Sequence, residues 1–172
     1  MASVSVRLAE TADDVDAARA LCLEWLDWHW RNYPPDWPKG DDHPMNPHKF
    51  QTVAQDLHEL HARPKGGILV ASVDGHDCGC VMYHEARDGV AEFKRMFVSE
   101  NGRGHGVGAR MLDAMFEQMS ADGYRSVFFS SAKFLTHAKI MYDHAGFVDM
   151  KQPDGIPDPW KDRIYFMQRT LA

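Results

Sequence analysis

Val98-Ser-Glu-Asn-Gly-Arg-Gly-His-Gly-Val-Gly-Ala-Arg-Met-Leu112 sets glycine at 102, 104, 106 and 108, after a strand-like run and before a helix-like one. The first amides of a helix have no partner within it and carry a partial positive charge, so a phosphate can reach them where side chains are missing. Glycine also admits positive φ, which lets successive N–H groups point into one concavity. The stretch reads as an anion cradle between a strand and a helix.

Which anion it holds decides the function. Gly104-x-Gly106-x-x-Ala109 formally fits the dinucleotide fingerprint, which also needs a tight turn directly off a strand and an acidic residue about 20 positions on. Both are missing: Ser99 to Arg103 stand as a spacer, and the next strand-like run, Arg125 to Ser130, ends in serines. A P-loop closes on Gly-Lys-Ser/Thr, whereas Gly108 leads into Ala109-Arg110. NAD and ATP are thereby disfavoured.

Arg103-Gly-His-Gly-Val-Gly108 resembles the Arg/Gln-x-x-Gly-x-Gly/Ala signature of the GNAT superfamily of acyl-CoA N-acyltransferases, in which this loop and the following helix hold the coenzyme A pyrophosphate. Upstream, Ala91-Glu-Phe-Lys-Arg-Met-Phe-Val98 is similar to the family's fourth strand. Downstream, Ala138-Lys-Ile-Met-Tyr-Asp-His-Ala-Gly-Phe147 is similar to the Ala-x-x-Leu-Tyr-x-x-x-Gly-Phe element that closes the cofactor site. The resemblance covers residues 67 to 148 well and the two ends poorly. It implies a GNAT fold of the mixed α/β class, a central, largely antiparallel mixed sheet with helices on both faces, and acetyl-CoA as co-substrate.

At 172 residues, with 44% hydrophobic and 26% charged side chains, the chain has the length and composition of one globular domain, 1–172. No apolar run approaches the ~20 residues that span a bilayer, and the N-terminus shows no secretory signal, so a cytoplasmic location is expected. Cys22, Cys78 and Cys80 are expected to be reduced, with strand alternation setting Cys78 and Cys80 on one face. A net charge of −6 argues against nucleic acid or anionic membrane as a partner. Locally the sign reverses: between Lys94 and Arg110 the only acid is Glu100, against Lys94, Arg95, Arg103 and Arg110, which suits a small polyanion. A homodimer is left open.

The periodicities predict strands over 4–8, 68–73, 79–85, 90–98, 125–130 and 163–170, and helices from a Thr11 cap to before Pro34 and over 49–61, 107–120 and 136–145, with Gly146 as the final stop. The order is β-α-α-β-β-β-α-β-α-β. Asp36 to Pro47 reads as a loop.

Acetyl transfer to an amine needs the amine deprotonated, the carbonyl polarised and the departing thiolate protonated. The resemblance implies Glu92 as general base, although the same carboxylate could serve only to pair with Lys94 or a neighbouring strand. It implies Tyr142 as general acid, the backbone N–H groups of Phe97 and Val98 as donors to the thioester carbonyl, and Arg103, Gly104, His105, Gly106, Val107 and Gly108 as the cofactor loop. Alternation predicts Glu92, Lys94, Met96 and Val98 on one strand face. Where the family often has an asparagine before the last helix, Leu135-Thr136-His137 stands here. No metal is expected: His58-x-x-His61 lacks an identified third ligand and HExxH is absent. Leu21, Trp25 and Trp28 fall at the spacing of a buried stripe, whereas Trp30, Tyr33 and Trp37 suit either core or acceptor pocket, with Asp27 or His29 able to contact an amine. The function expected is N-acetyl transfer from acetyl-CoA to the primary amine of a small molecule by direct attack in a ternary complex. A protein or peptide amine, or acyl-CoA sensing without turnover, are the alternatives.

Overall fold

A computed structural model describes residues 1–171 of the chain. Seven strands form one sheet in the order β1-β2-β3-β4-β5-β7-β6, mostly antiparallel, in a mixed α/β architecture. β1 (Val4–Leu8) leads into α1 (Ala12–Asn32), then α2 (Pro47–Gln55) and α3 (Leu57–Leu60). β2 (Gly67–Val73), β3 (His76–Arg87) and β4 (Val90–Val98) form a meander, followed by a short 3₁₀ turn and α4 (Val107–Ala121). β5 (Ser126–Ala132), α5 (Thr136–His144), β6 (Val148–Met150), α6 (Asp158–Lys161) and β7 (Ile164–Thr170) complete the order.

Local chemistry explains the element ends. Thr11 caps α1 in a box with Asp14, whose carboxylate also receives Arg7 at 2.9 Å. The residue before a proline is pushed out of the helical region, and Tyr33 ends α1 at φ −67°, ψ 132° ahead of Pro34. The single helix expected over 49–61 is broken at Asp56, whose amide bonds to both the Thr52 and Val53 carbonyls and tightens the last turn of α2. β6 and α6 are absent from the expected order; three and four residues are too short to carry a periodicity.

The sheet is covered on both faces. Ala18, Leu21 and Cys22 of α1, with Phe50 and Leu57, pack over Ile68, Val70, Cys80, Met82 and Phe97. On the other face Met111, Leu112, Met115 and Met119 of α4 pack over Leu69, Ala71, Val81, Tyr83 and Phe93. Each of those α4 side chains is fully buried, worth about 1.5–3 kcal/mol apiece, so the start of α4 is firmly anchored.

Two bulges overturn the alternation read from the sequence. Between Asp77 and Gly79 the β3 register skips Cys78, which turns Cys78 toward α4 while Cys80 faces Cys22 of α1. In β4, Phe97 opposes Cys80 but Lys94 opposes Met82, so β4 holds one extra residue, and Arg95 takes a left-handed φ of 55° there. Parity flips at that point. Glu92 and Lys94 share the α1 side with Phe97, whereas Met96 and Val98 pack into the α4 layer.

Candidate active site

The glycine loop has the backbone that its composition calls for. Gly104 and Gly106 sit at φ 82° and 72°, and a Cβ on either would meet nothing within 4 Å, so glycine is required there for conformation and the outer side is open. Gly106 is the left-handed cap of α4, and the first helical bond runs from the Arg110 N–H to its carbonyl. The amides of Val107, Gly108 and Ala109 are therefore without an intrahelical acceptor, at the positive end of a well-anchored helix. Val107 itself is buried. Arg103 stands over the Trp28 ring at 5.7 Å and reaches the Val98 carbonyl, which ties the loop to α1 and to the end of β4. His105 is exposed and borders a surface recess with Asp74 and Asn101.

β4 and β5, the one parallel pair, are joined only from Val90 to Glu92; beyond that β5 pairs with β7 alone. The Ser99 N–H donates to the Cys78 carbonyl at 2.8 Å, toward β3. Alternation of the backbone then turns the Phe97 N–H toward β3 and the Val98 N–H toward the gap that β5 leaves. Of the two amides expected to meet a carbonyl, Val98 is the one turned away from β3, on the side where β5 no longer pairs.

A cavity of about 480 Å³ opens between α1, the bulge of β4, the end of β5 and α5. Tyr142 and the bulge residues Phe93 to Met96 line one part, and Trp25, His29, Tyr33 and Trp37 another. Tyr142 is buried against Phe129, its ring 4.3 Å away, and burial pushes its phenol up, which keeps the proton on oxygen. Gly108 brings the start of α4 against the first of these parts: a Cβ there would lie 2.5 Å from the Met141 sulfur and 3.6 Å from Met96 Cε. The first turn of α4 thus abuts the sequence neighbours of both Tyr142 and the bulge.

Glu92 stands apart from the lining of this cavity, in direct cross-strand register with His84. Its carboxylate is 3.2 Å from His84 Nε2 and 4.0 Å from Lys94 Nζ. Burial alone would raise its pKa; the His84 hydrogen bond and the Lys94 charge outweigh that and bring it below the usual carboxylate value. Pairing with Lys94 or with a neighbouring strand was open from the sequence, and His84 as the cross-strand partner was not named, because register is invisible in a single sequence.

The loop after the first helix was expected to wall the acceptor site, and Pro44 and His43 of that loop line the cavity; neither His43 nor Trp160 of α6, which closes on it at a ring distance of 5.0 Å, was singled out from the sequence. Asp27 points elsewhere, 3.1 Å from Arg31 on the exposed side of α1. Among the described residues, no group of three or more His, Cys, Asp or Glu could hold a metal ion.

The family model of the Acetyltransferase (GNAT) family matches residues 22–147. An IAA acetyltransferase of Azospirillum brasilense is 31% identical over 119 residues, covering 67% of this chain and 74% of that protein. An acetyltransferase of the GNAT family from Staphylococcus aureus superposes with a TM-score of 0.74 at 15% identity, covering 99% of this chain and all of the other. The PaiA N-acetyltransferase of Thermoplasma acidophilum, solved with coenzyme A, gives 0.72 at 12% identity over 98% and 99% of the two chains. Fold, glycine loop and matched family model agree: the chain belongs to the GNAT family of acetyltransferases.

Proposed function

We propose that this protein is a cytoplasmic N-acetyltransferase that moves the acetyl group of acetyl-CoA to the primary amine of a small molecule, by direct attack within a ternary complex. The observation that carries the reading is the contact at Gly108, where the start of α4, the β4 bulge and the Tyr142 segment meet. The anion cradle holds the cofactor, the strand amide turned away from β3 polarises the carbonyl and the buried phenol protonates the departing thiolate; taking the amine's proton falls to Glu92.

The residues fit coenzyme A. Gly104 and Gly106 leave open space above a set of free amides, Arg103 adds positive charge, and coenzyme A supplies the thioester. The Val98 N–H meets the carbonyl oxygen as charge develops on it. An aliphatic amine is mostly protonated at neutral pH, since its pKa is ~10, and the ionised Glu92 carboxylate takes that proton through water. Tyr142, held protonated by its surroundings, gives its proton to the departing sulfur. The amine's body occupies the ring-lined part of the cavity, where apolar walls favour an apolar or aromatic group.

The test is calorimetric titration with acetyl-CoA, followed by thiol release across a panel of small amines. Acetyl-CoA binding and release of thiol with at least one amine are expected. Failure of acetyl-CoA to bind the folded protein would overturn the reading.

A further inference from the structure

The ring-lined part of the cavity contains two imidazoles, His29 and His43, each only 5% exposed. His29 is enclosed by Trp30, Tyr33, His43 and Phe134 at ring distances between 5.3 and 5.9 Å. None of those neighbours carries a carboxylate, and both ring nitrogens of His29 lack a hydrogen-bond partner among the described residues. Burial, with the approach of His43, lowers its pKa to about 4, so the ring is neutral and holds one N–H and one free lone pair.

His43 complements it. Its Nδ1 accepts the Met45 amide at 2.9 Å, which assigns the proton of the neutral ring to Nε2. An aromatic box built only for packing gains nothing from unpaired buried nitrogens, which cost stability until something bonds to them.

We propose that His29 and His43 read a ring-borne hydrogen-bonding group on an aromatic primary amine: the rings that cover His29 shift as the substrate enters, and an O–H or N–H of the substrate's ring donates to the free nitrogen that they shield. A phenolic oxygen can in addition accept from His43 Nε2. The amine itself is then directed toward Tyr142, on another wall of the same cavity. The identity of the reacting group rests on the acetyl-transfer reading above; recognition by His29 does not.

The probes are tyramine and tryptamine, which carry a ring donor, and phenethylamine, which lacks one. Affinity is read by quenching of the cavity tryptophans and turnover by thiol release, for the wild type, His29→Phe and His29→Gln. The wild type should bind tyramine or tryptamine at least about tenfold more tightly than phenethylamine. In His29→Phe that ratio should collapse to within about twofold, while the free protein melts about 2–4 °C higher because two unpaired buried nitrogens are gone. His29→Gln, which keeps a polar group, should retain part of the discrimination. Equal affinity for all three amines, an unchanged ratio in folded His29→Phe, or no binding of either ring donor at millimolar concentration would each overturn the proposal. Equal acetylation of all three amines would leave acetyl transfer standing and remove the His29 role. Binding that depends on His29 without thiol release would do the reverse.

Discussion

His61 holds Arg95 at the bulge of β4: its Nε2 accepts from the Arg95 guanidinium, and its Nδ1–H donates to the Tyr83 carbonyl at 2.8 Å. Arg95 is the residue in left-handed conformation whose insertion flips the strand, and its side chain has no carboxylate bonded to it. The imidazole must therefore be neutral. Burial first, then the Arg95 charge, lower the His61 pKa to about 3, with His84 and Lys94 adding to the effect.

That pairing sets a pH dependence of stability. A histidine whose folded pKa lies below the unfolded ~6.5 binds its proton only on unfolding, so the folded state loses ground as pH falls from about 6.5 toward the folded value. By pH 5 His61 alone should have removed about 2 kcal/mol relative to pH 7.5. His61→Gln can keep both hydrogen bonds and cannot titrate. Urea unfolding at the two pH values should show the difference shrinking by about that amount in the variant; an identical drop in both proteins would refute the assignment.

Gly108 offers a second test. Alanine in a helix is favoured over glycine by up to ~1 kcal/mol, but the added methyl must displace the Met141 sulfur, and overpacking of this kind costs about 1–3 kcal/mol. Gly108→Ala should therefore be destabilised by up to ~2 kcal/mol and lose activity, because Met141 is the residue before Tyr142. Combining it with Met141→Ala should restore activity toward that of Met141→Ala alone. Strict additivity of the two losses would show that the contact does not position Tyr142.

Tyr142→Phe keeps the ring contacts with Phe129 and removes only the phenol. kcat should fall by about 100-fold or more, with acetyl-CoA affinity and melting temperature nearly unchanged. Because burial pushes the phenol up, the wild-type rate should not fall on the alkaline side through ionisation of Tyr142 until well above the ordinary ~10. A wild-type kcat in the variant would remove Tyr142 from the proton transfer.

What the sequence displayed and what it hid follow a physical division. The glycine loop was legible because positive φ at Gly104 and Gly106 demands glycine. The α1 cap and the Tyr33 stop were legible because Thr11, Asp14 and Pro34 act on their own neighbours. The β4 bulge was not: the extra residue is an arginine stabilised by His61 from a distant helix end. His43 and Trp160 are 117 residues apart in the chain and meet only in the tertiary fold, so their part of the cavity's ring wall has no local signature.

Glu92 should reveal its role in the pH–rate profile. Glu92→Gln should lose most activity near neutral pH and regain it as pH rises, because the amine then loses its proton unaided. Its lowered carboxyl pKa also stabilises the fold above the unfolded ~4.3, an effect lost as pH falls through the folded value, so the variant should lose stability mainly above pH 5. Lost stability with a rate profile parallel to the wild type would assign Glu92 to its hydrogen bond with His84 and its pairing with Lys94 and nothing more.

The rings of the first helix and its loop divide between pocket and core. Trp30 donates its indole N–H to the Met45 carbonyl at 2.8 Å and packs into the α1-side core, whereas Trp37 is half-buried and lines the cavity. Trp37→Ala should raise KM for the amine by one to two powers of ten, about 1.4 kcal/mol for each, and leave acetyl-CoA binding unchanged. Trp30→Ala should instead act chiefly on the melting temperature, through a cavity costing about 2–4 kcal/mol, with a smaller rise in amine KM because Trp30 packs against His29 and His43. The two variants differ in which measurement moves most, so melting temperature and amine KM must be taken on both. A Trp37→Ala protein with wild-type KM would place acceptor recognition elsewhere than on this wall.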